Sequence, residues 1–271
     1  MNAIGIKYNA SLQRIVREVK RDIDAALIPV IKQYEPEYTY DGVATNDAWS
    51  DAIARTIGLL MARWTSPRVQ IIAQRLAGDF VRASVTRSER DMKKNTGIDV
   101  FSGSQNMQEY LQASAQQNAD LITSIPSQYL NEVSTLVMTN MRTGMRPGFI
   151  AKALQEQFGV TQRRAKFIAR DQTSKIQGDL AEKQQRGAGF EYFEWLDSDD
   201  SRVRHRHEEI ANRVTAYGKG IYRWDNLPLS DKGVPIKPGS DYACRCTARP
   251  VSAREVERNQ REGKTNPSVL R

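Results

Sequence analysis

The chain has 271 residues, 39% hydrophobic and 27% charged, with a formal net charge of +8 and only two Cys and two His. That length suits one or two domains with cores of their own, and two cysteines cannot staple it, so a disulfide scaffold is excluded and a reducing compartment is expected. No stretch approaches the ~18 apolar residues of a membrane span, and residues 1–17 lack the apolar segment and cleavage site of a signal peptide.

The first two thirds read as helix. Leu12, Ile15, Val16, Val19, Ile23, Leu27, Val30 and Ile31 recur at helical spacing, with Pro29 predicting a kink or an early end. Pro36, Asp41 and Gly42 mark a loop over residues 35–46. Trp49, Ile53, Ile57, Leu60, Met61 and Trp64 form the stripe of a second helix. Ser66-Pro67 starts a third, on which Val69, Ile72, Leu76, Phe80 and Ala83 keep the period until Gly97. A loop is expected over 98–104, and then a Gln-rich helix with Met107, Leu111, Leu121 and Ile122 on its apolar side.

Pro126 reads as the first residue of another helix, where a missing N–H costs nothing. Its stripe is Tyr129, Val133, Leu136, Val137 and Met141, and a turn is expected from Gly144 to Gly148. Phe149, Ile150, Ala153, Leu154 and Phe158 suggest a short helix stopped by Gly159. Thr161 then serves as N-cap of a helix burying Ala165, Ile168, Ala169, Ile176 and Leu180. The turn at Phe158-Gly159-Val160 has the form of a helix-turn-helix corner, although an ordinary two-helix corner is favoured.

Beyond Gly187 the character changes. The aromatic-rich run 190–196 predicts a strand buried on both faces. Asp197, Asp199 and Asp200 form an acidic loop, and Val203, His207, Ile210 and Val214 space as a helix. The Gly- and Pro-containing span 217–246 reads as loop with short strands, and the polar, basic tail after Pro250 is expected to fray. The fold class is therefore a mainly α N-terminal region followed by a small α+β module with short antiparallel strands. The expected divisions are residues 1–145, 146–252 and 253–271.

All Cys and His side chains lie between His205 and Cys246. Zinc must be weighed, with His207, Cys244 and Cys246 as candidate ligands and Asp200 or Asp241 needed to complete the set. Cys-x-Cys is tighter than the usual ligand spacing, and His205 and His207 point roughly 200° apart on a helix. The favoured reading is no bound metal: His207 is a hydrogen-bonded core residue and the cysteines pack as small hydrophobes. A metal-dependent nuclease needs a general base and metal ligands on converging elements, which two opposed histidines do not supply. No G-x-S-x-G elbow, phosphate loop or dinucleotide fingerprint is present, so no catalytic residue is assigned. Residues 146–189 hold nine basic against four acidic side chains, and Arg163, Arg164, Lys166, Arg170 and Lys175 are the candidate DNA contacts. A solvated basic face explains the same residues.

A family resemblance lies in the order of the C-terminal motifs. The stretch from Arg164 to Thr173 is followed by Trp195 and the acidic loop. Asp200-Ser201-Arg202-Val203-Arg204 and His207 come next, and then Cys244-Arg245-Cys246 just before Pro250. This arrangement, over about residues 145–252, resembles the phage Mu F-like minor head proteins, also called head morphogenesis proteins. The family often has Gly where this chain has Ile210-Ala211-Asn212, and His-Pro-x before Cys-Arg-Cys where this chain has Asp241-Tyr242-Ala243. Some relatives carry C-x-x-C where this chain has Arg204 and His207, so a metal site does not transfer from them.

The resemblance implies a virion component of a tailed bacteriophage with no enzymatic role, made and assembled in the host cytoplasm. It implies a place in the capsid interior near the portal, assisting head assembly, DNA packaging or ejection. Portal protein, capsid or scaffold proteins and double-stranded DNA are the implied partners. A sequence-independent DNA-binding module is the alternative. Asp200, Arg202, Arg204, His207, Cys244, Arg245 and Cys246 are the motif that defines the module, and of these Asp200, Arg204, His207 and Arg245 are expected to be internal pins. Arg202 or Arg204 should pair with the acidic loop, and His207 should pack near the Cys-Arg-Cys strand.

Overall fold

A computed structural model describes residues 2–33, 47–100, 105–142 and 147–271. The loop expected over 35–46, most of that over 98–104, and the turn at Gly144 lie outside them. The described chain runs α1 (Ala3–Gln33), α2 (Asp47–Trp64), α3 (Pro67–Thr96), α4 (Gln105–Arg142) and α5 (Pro147–Gly187). Then follow β1 (Tyr192–Leu196), α6 (His205–Asn212), β2 (Val214–Thr215), β3 (Gly218–Lys219), β4 (Ile221–Arg223), β5 (Thr247–Val251) and α7 (Ala253–Arg261). This is the expected class: a long helical region, then a small module with short antiparallel strands.

Two compact units divide the chain, and both are discontinuous in sequence. One comprises Ile6–Asp79 and Ala115–Ala169; the other comprises Met1–Gly5, Phe80–Ser114 and Arg170–Arg271. In the first, the apolar face of α1 is buried at Leu12, Val16, Val19, Ile23, Leu27 and Ile31, as its spacing predicts. Pro29 is carried inside α1, which continues to Gln33 with Leu27 and Ile31 buried on either side of it. The stripe of α2, Ile53, Ile57, Leu60 and Trp64, is likewise buried. On α3 the period is right but the phase is shifted: Ala73 and Ala77 are buried, whereas Ile71 and Ile72 are exposed. Phe80 of the expected stripe is buried, and hydropathy passed over the two alanines that share its seam.

Two expected helix breaks do not occur. Pro126 lies inside α4, in a stretch where Ile122, Ile125, Tyr129 and Leu130 are all buried. Burying that continuous face outweighs the ~3 kcal/mol cost of an interior proline. Gly159 and Thr161 lie inside α5, so the helix-turn-helix corner is absent. Thr161 is not an N-cap; its hydroxyl donates back to the Gln157 carbonyl at 3.0 Å, one turn earlier. A helical glycine costs only about 1 kcal/mol, and Ile150, Leu154, Ala165 and Ile168 bury the face around it.

In the second unit, β1 is the centre of a three-stranded sheet of order β4-β1-β5. Both pairings are antiparallel, with Phe193 opposite Tyr222 and Pro250. β1 is not buried on both faces as expected: Phe193 and Trp195 are buried while Tyr192 and Glu194 are half-buried and Leu196 is exposed. Phe193, Trp195, Ile210, Tyr222, Trp224, Ile236, Cys244 and Cys246 make one core cluster. α6 is shorter than its apolar spacing suggested: Val203 precedes it and Val214 belongs to β2, paired with β3. The tail is tied down, since Ser252 caps α7, Val256 packs with Ile221 and Val251, and Asn266 N–H donates to the Thr215 carbonyl at 2.8 Å.

The 237–240 loop lies directly against α5. A Cβ on Gly178 would stand 2.2 Å from the Pro238 carbonyl oxygen, and one on Gly239 would stand 2.4 Å from the Ser174 carbonyl oxygen. Gly239 also has φ +86°, a left-handed conformation that favours glycine. Lys237, next in the loop, places its ammonium 2.6 Å from Asp179 and 2.5 Å from Glu182, both on α5. Gly178→Ala is therefore expected to destabilise the protein by about 1–3 kcal/mol through overpacking. Gly58→Ala, in exposed α2 with nothing within 4 Å of the added Cβ, should stabilise it by about 0.4–1 kcal/mol. Urea unfolding midpoints of the two variants check the contrast.

Candidate functional site

The motif residues converge where α6, the acidic loop and the Cys-Arg-Cys segment meet. Asp200 is held at the start of the turn into α6, its Oδ1 accepting the Arg202 backbone N–H at 2.9 Å. Arg245 reaches back to it with both terminal nitrogens, Nη2 donating to Oδ1 at 2.5 Å. Such two-pronged pairing is the geometry in which a guanidinium binds a carboxylate most specifically. Arg202 makes a looser ion pair with the same Asp200, at 3.5 Å, and is mostly exposed. Arg204 donates to the Tyr242 carbonyl and lies 3.4 Å from Asp241 Oδ2. The expected pairing with the acidic loop thus belongs to Arg245 and Arg202, while Arg204 grips residues 241–242.

His207 stands on the buried face of α6, 3% exposed, and meets the edge of the Trp195 ring at 5.4 Å between centroids. Its Nδ1 lies 3.6 Å from Cys244 Sγ and 3.5 Å from Cys246 Sγ. Its Nε2 lies 3.2 Å from Asp241 Oδ2. His207 therefore packs against the Cys-Arg-Cys segment, as expected. His205 is on the opposite, exposed side, 3.3 Å from Glu209, so the two histidines do not converge. Both cysteines are buried and free.

The thiols are electrically unlike each other. Hydrogen bonding from Cys246 and from His207 draws the Cys244 thiol well below its usual range, and the Cys244 sulfur in turn pushes the Cys246 thiol up. Burial acts to lower the His207 pKa, but the Cys244 sulfur and the Asp241 charge more than offset it, and the net shift is upward. Ligand-type atoms of His207, Cys244 and Cys246 lie within 4.8 Å of one another, the one such group among the described residues.

Asp171 had no assigned role in the sequence, yet it organises the segment. Its side chain is buried on α5, with Oδ1 accepting the Ala243 backbone N–H at 2.9 Å and Oδ2 2.7 Å from Lys175. Ala243 has φ +50°, a left-handed conformation, immediately before Cys244. The signal was present as a charged residue within the buried stretch of α5, with Lys175 one turn on. Asp241 was likewise weighed only as a spare metal ligand.

The five candidate DNA contacts are differently placed. Arg163 and Lys166 are exposed, while Arg164 donates to Ser124 Oγ at 3.0 Å and its pKa is lowered by burial. Arg170 has a buried Nε without a hydrogen-bond partner, and Lys175 is committed to Asp171. A cleft of about 860 Å³ in the second unit is lined by Arg87, Arg170, Asp200, Arg245, Cys246 and Arg249 among others. Its cations are largely compensated: Arg249 pairs with Glu194 and Glu255, Arg87 with Asp91 and Arg245 with Asp200.

Fold and site together define a helical protein with a C-terminal α+β module in which one sequence motif closes on itself through charge pairs and a His–Cys cluster. Residues 131–249 match the family described as Phage Mu protein F like protein. The chain is also 28% identical over 269 residues to an uncharacterized protein of Haemophilus influenzae, the alignment covering 97% of this chain and 55% of the relative. It thus spans about half the length of that curated relative. No solved structure matches it.

Removing the Asp171 carboxylate leaves the Ala243 N–H without its acceptor, at an expected cost of about 1–3 kcal/mol for Asp171→Ala, read from denaturant unfolding. A second expectation concerns acid. The hydrogen bond from Arg245 holds the Asp200 carboxyl far below the usual carboxylate range. Its contribution is present above the unfolded-state pKa and is lost as pH falls through the folded one. Asp200→Asn should therefore flatten the acid limb of the stability–pH profile, with the largest difference from the parent near neutral pH.

Proposed function

We propose that the protein is a minor head protein of a tailed bacteriophage, assembled into the procapsid in the host cytoplasm and retained in the capsid interior near the portal. The match of residues 131–249 to the phage Mu F-like family carries this reading. The construction of the motif supports it: Asp200, Arg204, His207 and Arg245 all bind other parts of the same module. On this reading the protein has no enzymatic role, and it assists head assembly, DNA packaging or ejection through the portal protein and capsid or scaffold proteins. No helix among the described residues is long and apolar enough to cross a membrane. Tagged protein expressed in the phage-infected host is expected to co-purify with the portal ring from procapsids. Its absence from both procapsids and virions, with head yield unchanged after deletion of its gene, overturns the proposal.

Exposure of Arg163 and Lys166 on α5 favours sequence-independent DNA binding as the second reading. Each phosphate neutralised contributes about 0.9 to the slope of log affinity against log salt. Replacing both residues by Ala should therefore reduce that slope by about 1.8 for duplex DNA, measured by fluorescence anisotropy. An unchanged slope removes this pair from any DNA contact.

A further inference from the structure

The buried His–Cys cluster does more than fill space. A neutral imidazole nitrogen has one lone pair and accepts one hydrogen. Two thiols face the same Nδ1, at 3.6 and 3.5 Å, so only one of them can donate to His207 at a time. A single metal ion serves all three atoms. With zinc–sulfur and zinc–nitrogen bonds of about 2.3 and 2.05 Å, the sulfur–nitrogen edge of a tetrahedron is about 3.6 Å. The observed separations have that length.

The surroundings are those of a metal site. Asp241 Oδ2 sits 3.2 Å from His207 Nε2, the carboxylate position that keeps the proton on Nε2 and aims the Nδ1 lone pair at the metal. The backbone N–H of Cys246 points at Cys244 Sγ at 3.4 Å. The indole N–H of Trp195, a residue 1% exposed in the same core cluster as Cys246, has no hydrogen-bond partner. The N–H donor on Cys244 Sγ favours its thiolate. Zinc with two thiolates and a neutral imidazole has no net charge, which suits a core shared with Phe193, Ile210 and Tyr222.

We propose that His207 Nδ1, Cys244 Sγ and Cys246 Sγ bind one zinc ion, the fourth position taken by water from the adjoining cleft. Binding displaces the two thiol protons to solvent. Cys246 lines that cleft, which gives the metal its route in. Asp241 is a positioning residue and not a ligand. The proposal stands on the geometry of this cluster and is independent of the phage reading.

The test is metal content of the full-length protein, purified under reducing conditions from zinc-supplemented medium. About one zinc per chain is expected, with loss in Cys246→Ser and His207→Ala. Cobalt(II) reconstitution of the wild type should give a sulfur-to-cobalt charge-transfer band and the visible spectrum of a tetrahedral ion. Asp241→Asn keeps all three ligands, and competition with a zinc indicator should show affinity reduced about 10–100-fold. Wild-type protein that is folded by circular dichroism yet holds no zinc and gives no cobalt band overturns the proposal, whatever the variants do. Stoichiometric copper in place of zinc overturns the choice of metal, and unchanged affinity in Asp241→Asn overturns the role of the carboxylate.

Discussion

A buried carboxylate on α5 decides where the Cys-Arg-Cys segment runs. Asp171 accepts the backbone N–H of Ala243, and Ala243 is in a left-handed conformation that an alanine rarely holds unaided. Four residues earlier the chain touches the same helix through the Gly178–Gly239 approach, closer than any side chain would allow. Lys237 is tied to Asp179 and Glu182 on the next turn of α5. With the segment so fixed, Cys244 and Cys246 have one place to point, and His207 on α6 meets them there.

The charge pairs complete the enclosure from the other side. Asp200, held by its turn, takes Arg245 from between the two cysteines, while Arg204 takes residues 241–242. Asp200 and Arg204 thus join the acidic loop and the start of α6 to the later segment, across 38 to 45 residues of chain. This explains why a chain with net charge +8 does not present a uniformly basic surface: many of its arginines in the second unit are spent on internal carboxylates. Outside these pairs, Arg163 and Lys166 on α5 remain open to solvent.

Much of the architecture was legible from residue spacing. The stripes of α1 and α2 and the change of character after Gly187 follow from it, while the proximity of His207 to the Cys-Arg-Cys segment was expected from the family resemblance. The failures have a common cause. Pro126, Gly159 and Thr161 are local signals for ends, and each was overridden because a buried face continues past it. The α3 seam was misphased at its start because alanines carry little hydropathy, so Ile72 and Leu76 outvoted Ala73 and Ala77. The tail read as frayed because its composition is polar, while a capped α7 buries a single valine against β4 and β5.

What the sequence by itself determined was the class of fold and the resemblance carried by the order of its C-terminal motifs. Periodicity, composition and motif order are properties of the chain alone, and they suffice for those. The tertiary structure decided which partners the motif residues have. The two histidines separate because one helix face is buried and the other is not. Asp171 and Asp241 acquire roles because loops distant in sequence bring an N–H and an imidazole to them. The cysteines, which spacing alone disfavoured as ligands, become a set with His207 only once α5 fixes the segment that carries them. Distances between side chains on different elements are not written in local pattern, because packing sets them.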